Sequence, residues 1–199
     1  MSLSLFNKGV RIMKKYISNT LIILGILFIL VALGSKYINK NEVKKSEENF
    51  INKLNEVENK EEVFKDIKVG DEIGKIIIPS LNIEGIIVEG TGDEEIKHNI
   101  GHFQGTSMPG EEGNFAIAGH SSTIYNNVFN NIHKINIGDE MIVTALNGEF
   151  KYKVSESFVV EPEDTTVLNS FVGRKEITIV TCTNGGKDRL IIKGNLVEE

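Results

Sequence analysis

The spacing of apolar and polar residues changes along the 199-residue chain and divides it into three parts. Residues 21–33 are apolar throughout apart from Gly25. Residues 41–68 are rich in charge, contain neither proline nor glycine, and carry apolar residues at helical intervals. From residue 70 onward, short β-branched runs alternate with turn residues, which is typical of a β sandwich or barrel. The pattern therefore predicts helix first and a mainly β domain afterwards.

The apolar run lies within a longer segment, residues 16–37, that has the length of a transmembrane helix. At 1.5 Å per residue this segment measures about 31 Å, close to the ~30 Å thickness of the hydrocarbon layer. Tyrosines at both of its ends suit the two membrane interfaces. Residues 1–15 are basic, which predicts a cytoplasmic tail and an extracellular body. The alternative is a signal peptide that is cleaved after Gly34.

Residues 38–69 are predicted to form a helical spacer between this anchor and the β domain. Their apolar stripe falls at intervals of 7, 4, 3 and 7 residues and consists of Val43, Phe50, Leu54, Val57 and Phe64. Glu47 and Glu61 interrupt the stripe, so a long coiled coil is not expected. The favoured interpretation is a solvated spacer that holds the domain off the membrane. The alternative is that the stripe docks on the folded domain.

The third part, residues 70–199, is predicted to fold as a closed, mostly β barrel with short helices. Seven strands are expected, at residues 73–78, 83–88, 114–118, 140–145, 150–160, 177–181 and 189–197. Pro79 falls at a strand end, where its missing N–H costs least. The best candidate for a short helix lies at residues 125–132.

Charge is distributed unevenly and excludes one class of partner. Six of the 22 basic residues lie in the first 40 positions, which contain no acidic residue, whereas all 28 acidic residues lie in the remainder. An acidic body argues against a nucleic-acid partner. The chain has no phosphate loop, no metal-spaced Cys/His cluster and no glycine-rich nucleotide fingerprint, so neither a metal nor a cofactor is expected.

Cys182, the single cysteine of the chain, stands at the end of the strand predicted over residues 177–181. The following segment, residues 183–188, contains Asn-Gly-Gly and predicts a turn into a strand that begins at Arg189. Such a hairpin places the thiol and the guanidinium at the same end of neighbouring strands, where the positive charge favours the thiolate. The alternative is a buried structural cysteine and a surface arginine.

His120 is the histidine best placed to act with this cysteine. It follows an apolar strand, and Gly119 before it allows close backbone approach. A histidine at a strand end can hold a proton near neutral pH and give it to a leaving amine. The other histidines lie in polar segments and are predicted to be structural or solvated; they are His98, His102 and His133.

Five segments in order resemble the sortase family, the membrane-anchored cysteine transpeptidases of Gram-positive bacteria. They are residues 74–90, 108–120, 159–168, 178–182 and 189–192. The sequence TIVTC at 178–182 resembles the family motif T-L-x-T-C, with Ile179 in place of leucine. After the histidine, many relatives have Arg-Asp where this chain has Ser121 and Ser122. The short N-terminal anchor and TIVTC are more similar to class D than to the other classes.

This resemblance implies that Cys182 attacks a carbonyl carbon in an LPxTG-like sorting signal and forms a thioacyl enzyme. His120 would protonate the departing amine, and Arg189 would position the substrate or stabilise the oxyanion. An amine from a cell-wall precursor or from another protein, such as a pilin, would then resolve the intermediate. The implied substrate contacts are Thr181, Val160, Val167 and Leu168. For the three apolar residues, ordinary core packing is the alternative.

Two other functions remain open from the sequence. An exported L,D-transpeptidase also uses a cysteine on a β-rich fold, but its signature places His and Gly directly before the nucleophile, where this chain has Val180 and Thr181. A membrane-tethered binding domain would carry an inert Cys182. Reaction with a charged thiol reagent distinguishes these cases, because a buried structural cysteine does not react.

Overall fold

The structure is a computed structural model that describes residues 2–57, 59–60, 62–121 and 128–197. Side chains are described from residue 19 onward, except at 35–36 and 38–39. The chain divides into two compact units, Met1–Lys40 and Asn41–Glu199.

Helix α1 (Ser2–Glu56) contains the whole of the predicted anchor, residues 16–37. The side chains at 19–34 are all exposed. Over the described residues, no helix combines the length and the apolar character needed to cross a membrane. Tyr16, at the start of the predicted anchor, lies outside the described side chains.

Eight strands form a closed barrel in the order β1-β2-β3-β4-β7-β8-β6-β5. Their bounds are β1 Glu72–Ile78, β2 Ile83–Glu89, β3 Ile100–His102, β4 Gly113–Ala118, β5 Glu140–Ala145, β6 Gly148–Val160, β7 Lys175–Thr183 and β8 Asp188–Leu196. The pairs β2–β3 and β4–β7 are parallel, and the other neighbours are antiparallel. The predicted barrel is therefore confirmed, and the seven predicted strands lie close to their expected limits.

The sequence pattern did not predict strand β3 or the short helix that precedes it. β3 has only three residues, of which Gly101 is the middle one, so it is too short to show alternation. The short helix predicted at residues 125–132 falls partly outside the described residues, and a 3₁₀ helix, Ile132–Lys134, begins at its last position. A short α helix, α2 (Asp93–Ile96), lies between β2 and β3. Pro79 begins a 3₁₀ turn directly after β1, as expected.

The barrel interior is filled by alternate side chains of each strand. In β7, Ile177 and Ile179 are buried in the main core, and Ile179 lies opposite Ile192 of β8. Because successive side chains of a strand point to opposite faces, the intervening positions lie on the outer face of the sheet. Cys182 and Arg189 belong to this outer set. The core therefore fixes which face the chemistry occupies.

Residues 41–56 of α1 belong to the second unit and pack on the outside of the barrel. Phe50 is 3% exposed, and its cluster contains Ile86, Val88 and Leu146, with Val57 and Phe64 packed against it. Glu47, which interrupts the apolar stripe, forms an ion pair of 2.7 Å with Lys75 of β1. The favoured interpretation of a solvated spacer is wrong for this part of the segment. The stripe docks on a small apolar patch of the barrel instead.

Lys53 adds a second polar contact between this helix and the barrel. Its Nζ lies 3.0 Å from Asp71 Oδ1 and 2.9 Å from Glu72 Oε2. Burial raises the pKa of Glu72, but hydrogen bonds from Lys53 and Asn49 outweigh this effect and hold that pKa below its ordinary value. The carboxylate is therefore charged at neutral pH, where it favours the docked helix.

Replacing Phe50 by alanine tests the docking of the helix. Phe50→Ala should lower the free energy of unfolding of the domain by about 3 kcal/mol, because it removes a buried aromatic side chain. Ile51→Ala is the matched control, since Ile51 is 48% exposed, and it should change stability by less than about 0.5 kcal/mol. Denaturant or thermal unfolding measures both. Equal effects of the two variants would contradict the docked arrangement.

Candidate active site

β7 and β8 place Cys182 and Arg189 directly opposite each other. The turn between the two strands contains the 3₁₀ segment Asn184–Gly186. Gly185 and Gly186 have φ angles of 69° and 89°, a left-handed region that glycine adopts without strain. Residues that lie opposite in an antiparallel pair point to the same face. The thiol and the guanidinium are therefore neighbours at one end of the sheet, as the hairpin predicted.

The guanidinium of Arg189 is held by the backbone of the turn. Its Nη1 donates to the carbonyl oxygens of Gly186 at 3.1 Å and Asp188 at 3.2 Å. Among the described residues no other hydrogen bond engages this group, so Nε and Nη2 are available to a ligand. On its other side, Arg189 pairs with Val160 at the end of β6. Cys182, Arg189 and Val160 thus form one row across three strands.

His120 reaches the same end of the sheet through the parallel pairing of β4 with β7. The N–H of Gly119 donates to the carbonyl oxygen of Val180 at 3.2 Å, which continues this pairing beyond β4. A Cβ atom on Gly119 would lie 2.8 Å from the ring of Phe129. The glycine is therefore required by close packing, in agreement with the sequence analysis. The N–H of Phe129 in turn donates to the carbonyl oxygen of His120 at 3.2 Å.

His120 and Cys182 line a single cavity of about 630 Å³. The other lining residues come from three neighbouring segments and are Ser121, Asn130, His133, Thr183, Asn184, Gly185 and Gly186. A larger cavity, of about 730 Å³, lies at the opposite ends of β7 and β8 near Lys175 and Leu196, and no nucleophile lines it. Within the described part of the chain, no three His, Cys, Asp or Glu side chains are grouped as metal ligands.

An apolar row lies next to the cysteine on the outer face of the sheet. Its members pair in succession across β4, β7, β8 and β6; they are Ala118, Val180, Ile191 and Phe158. We call this row the groove floor. Ile191 is fully buried yet lies outside the main core cluster. This row was not predicted from the sequence, although its β7 member, Val180, has the same parity in the strand as Cys182.

Residues 165–170, which begin with the 3₁₀ turn Thr165–Leu168, lie against this outer face through hydrogen bonds with Asn114, and we call them the groove wall. Val167 is 8% exposed, and Leu168 is half-buried. Val160, also half-buried, lies beside Arg189. The structure therefore places all three predicted apolar contacts around the outer face rather than in the main core.

Thr181 requires a correction. It was expected among the substrate contacts, but it follows the inner parity of β7 and is 3% exposed. Its hydroxyl donates to the carbonyl oxygen of Gly119 at 2.7 Å. Because Cys182 is the next residue, the two side chains must point to opposite faces. Thr181 therefore holds β7 against the segment that carries His120, and does not face the groove.

His102 is structural, which was one of its two predicted roles, but it is a fully buried residue of β3 rather than part of a polar loop. Its Nδ1 lies 2.6 Å from Glu89 Oε2, and its Nε2 lies 3.2 Å from the carbonyl oxygen of Ser107. A carbonyl oxygen can only accept, so Nε2 is the donor to Ser107. The ring also stacks on Phe115 at 5.2 Å. His102 is structural, whereas His133 is exposed beside the cavity.

Comparison with known proteins agrees with this geometry. The model of the Sortase domain matches residues 76–197. Sortase D of Bacillus subtilis is 29% identical over 115 residues, which cover 58% of this chain and 56% of that protein. Sortase A of Bacillus anthracis is 24% identical over 164 residues, which cover 80% of this chain and 77% of that protein. The first match thus spans little more than half the length of its relative.

Solved structures give a fuller match. A Clostridium perfringens Sortase D5 transpeptidase is 47% identical, with a TM-score of 0.73, and the alignment covers 78% of this chain and 98% of that chain. Sortase C1 of GBS Pilus Island 1 is 27% identical, with a TM-score of 0.63, and covers 69% of this chain and 71% of that chain.

The role of Thr181 can be tested with two substitutions. Thr181→Val keeps the shape but leaves the buried carbonyl oxygen of Gly119 without its donor, so it should destabilise the domain by about 1–3 kcal/mol. Thr181→Ser keeps the hydroxyl and should lower the stability of the domain less than Thr181→Val does. Thermal melting measures both. A Thr181→Val variant that melts like the parent but binds sorting peptides poorly would instead indicate a direct substrate contact.

Proposed function

The chain belongs to the sortase family, whose members are cysteine transpeptidases, and it is similar to class D, so we propose that it cleaves an LPxTG-like sorting signal and transfers the product to an amine. The observation that carries the proposal is the pairing of Cys182 with Arg189 beside a cavity that His120 also lines. The Cys, His and Arg that the sequence analysis selected from separate segments share one end of the sheet.

The first half of the proposed reaction breaks a peptide bond. The Cys182 thiolate attacks the carbonyl carbon of the scissile bond, and the carbonyl oxygen becomes an oxyanion. Arg189, anchored through Nη1 to the turn, directs its remaining N–H groups toward this oxygen. The C–N bond then breaks while protonated His120 gives its proton to the leaving amine. The product is a thioester on Cys182 and a free amine.

The second half of the proposed reaction forms a new amide. An incoming amine attacks the thioester carbonyl carbon and loses a proton to the now neutral ring of His120. The tetrahedral intermediate collapses and expels the Cys182 thiolate, so both catalytic groups return to their starting protonation states. The acceptor amine belongs to a cell-wall precursor or to another protein such as a pilin.

The groove floor and the groove wall suit the aliphatic residue of such a signal. The floor presents apolar side chains on the row next to Cys182, and the half-buried Val160 and Leu168 lie at its margins. A bound peptide would cover this apolar surface, which favours binding by removing it from water. We therefore retain Val160, Val167 and Leu168 as proposed substrate contacts.

We also propose that residues 16–37 anchor the enzyme in the membrane, with residues 1–15 in the cytoplasm and the catalytic domain outside. The support is the basic tail and the length of the apolar segment. Protease added to intact protoplasts should remove the domain. A domain that remains protected until the membrane is broken would contradict this orientation.

The two alternative functions, an L,D-transpeptidase and a binding domain, fit the family match and the site less well. The L,D-transpeptidase alternative is set aside, since the Sortase domain model matches residues 76–197. A binding domain with an inert cysteine predicts no reaction of Cys182 with a charged thiol reagent. Cys182 is half-buried in an open cavity rather than enclosed, which favours reaction.

Turnover of a matched sorting peptide with an amine acceptor tests the three roles. Cys182→Ala should abolish cleavage and transfer, and His120→Ala should be nearly as severe because the leaving amine loses its proton donor. Arg189→Lys should lower turnover at least about tenfold, because lysine lacks the planar fork. Cys182→Ala combined with His120→Ala should be hardly worse than either alone.

Matched controls separate catalysis from folding in this series. Arg174→Lys makes the same exchange at the far end of β7, and His98→Ala removes a histidine outside the cavity; both should retain parent turnover. All variants should melt close to the parent, because the site side chains add little to the core. Near-parent turnover by His120→Ala, with loss in His98→Ala, would overturn the assignment of the acid.

A further inference from the structure

Asn114 is a polar side chain that is fully buried in an otherwise apolar strand, β4 (GNFAIA). It pairs with Glu176 of β7 and therefore lies on the outer face, the face that carries Cys182. Burial of an amide is costly unless its hydrogen bonds are replaced. The partners of this amide therefore indicate what it does.

The hydrogen bonds of Asn114 connect the sheet with the groove wall. Its Oδ1 accepts from the hydroxyl of Thr178 at 2.8 Å. Its Nδ2 donates to the carbonyl oxygens of Val167 at 3.1 Å and Asn169 at 3.4 Å. Its backbone N–H donates to the hydroxyl of Ser170 at 3.2 Å. The amide orientation follows from these partners, because carbonyl oxygens accept only and must face the NH₂ group.

Apart from the burial of Val167, the groove wall has few other ties to the barrel. Within the turn, Asp164 accepts from the backbone N–H of Thr166 at 3.0 Å, and Asn169 donates to Thr166 at 3.1 Å. These bonds shape the turn but do not place it. In the described part of the chain, every hydrogen bond from residues 165–170 to the sheet goes to Asn114. Its side-chain amide is therefore the polar link that positions the groove wall on the outer face of the sheet.

The same side chain joins the two strands that carry the catalytic groups. Asn114 lies in β4, the strand that leads to His120, and Thr178 lies in β7, four residues before Cys182. One amide thus fixes the wall against both strands. A ligand that lies between wall and floor would meet a wall already placed relative to the thiol, and preorganisation of this kind lowers the cost of binding.

We propose that Asn114, with Thr178 as its partner, is a positioning residue that holds the groove wall for the sorting signal. The proposal rests on the proposed function. Asn114 touches no reacting atom, so its loss should weaken peptide binding and leave the chemical step intact. A substitution that removes uniform binding raises KM and leaves kcat unchanged. A role in stability alone would not separate KM from kcat in this way.

Kinetics of the full chain with a sorting peptide and an amine acceptor test the proposal. Asn114→Asp replaces the NH₂ group, which donates to both carbonyls, by a carboxylate oxygen that repels the Val167 and Asn169 carbonyls, and KM should rise about tenfold. Thr178→Val removes the partner of Oδ1 and should raise KM about threefold to tenfold. Thr178→Ser keeps the hydroxyl and should restore the parent KM. In all three variants kcat should stay within roughly twofold of the parent.

Two matched controls make the same chemical changes elsewhere. Thr144→Val alters a strand residue of β5, and Asn136→Asp alters an exposed residue before that strand; neither should change KM. The reaction rate of Cys182 with a small thiol reagent should also be unchanged in the test variants. Unchanged KM in Asn114→Asp and Thr178→Val, or an equal loss of kcat and thiol reactivity, would overturn the proposal.

Hydrogen exchange gives a measurement that needs no substrate. The amides of residues 165–170 should exchange faster in Asn114→Asp and Thr178→Val, whereas those of β4 and β7 should keep their protection. If Asn114→Asp does not fold, the comparison of Thr178→Val with Thr178→Ser decides. A parent enzyme that processes no sorting peptide would refute the proposed function alone. Unchanged exchange at 165–170 in folded variants would refute the positioning role.

Discussion

The antiparallel pairing of β7 with β8 is the constraint on which the candidate site depends. Its register is fixed on the inner face, where Ile179 and Ile192 lie opposite each other in the core. A slip of one residue would turn every side chain of the strand to the other face, and Cys182 would then enter the barrel interior. Core packing thus keeps the thiol beside Arg189 without any direct bond between the two.

The position of His120 depends on a different pairing. β4 and β7 are parallel, so the chain must leave the end of β4 and return to the start of β7, and it forms β5 and β6 in between. The hydrogen bonds of Gly119, one to Val180 and one from Thr181, continue this pairing up to the histidine. Thr181, whose side chain is on the inner face, therefore supports the site on the outer face, because it fixes the backbone that both faces share.

Most of the strands and the hairpin could be predicted from the sequence, because both depend on residues that are neighbours along the chain. Alternation and turn residues are local, and the thiol and guanidinium are joined by one short turn. The buried pair of His102 and Glu89 was missed because the partners are far apart in sequence and their polar character predicts exposure. The docking of Phe50 was the less favoured interpretation, since its apolar patch forms only when β2 and the end of β5 come together.

Alternation along β7 assigns each of its residues to the inner or the outer face of the sheet. Thr181 must face away from Cys182, and Val180 must face the same side as Cys182, so strict alternation already separates Thr181 from the groove floor. Parity alone does not show that the outer face is covered, because the sequence of a strand does not reveal which loop lies over it. The tertiary contact between residues 165–170 and the sheet shows which loop covers the outer face.

Asn114 shows how the sequence of a strand can indicate that a loop covers the sheet. A loop laid on a sheet brings backbone carbonyls that can no longer bond to water and must find donors. A wholly apolar outer face would offer no donor to the oxygens of Val167 and Asn169, and no hydrogen bond would then hold the loop on the sheet. One amide in the apolar run of β4 satisfies both, and Thr178 satisfies the amide in turn. A buried polar residue on the outer face of a strand therefore marks the place where irregular backbone is held, and here that place lies on the face that carries Cys182, at Thr178, four residues before the cysteine along β7.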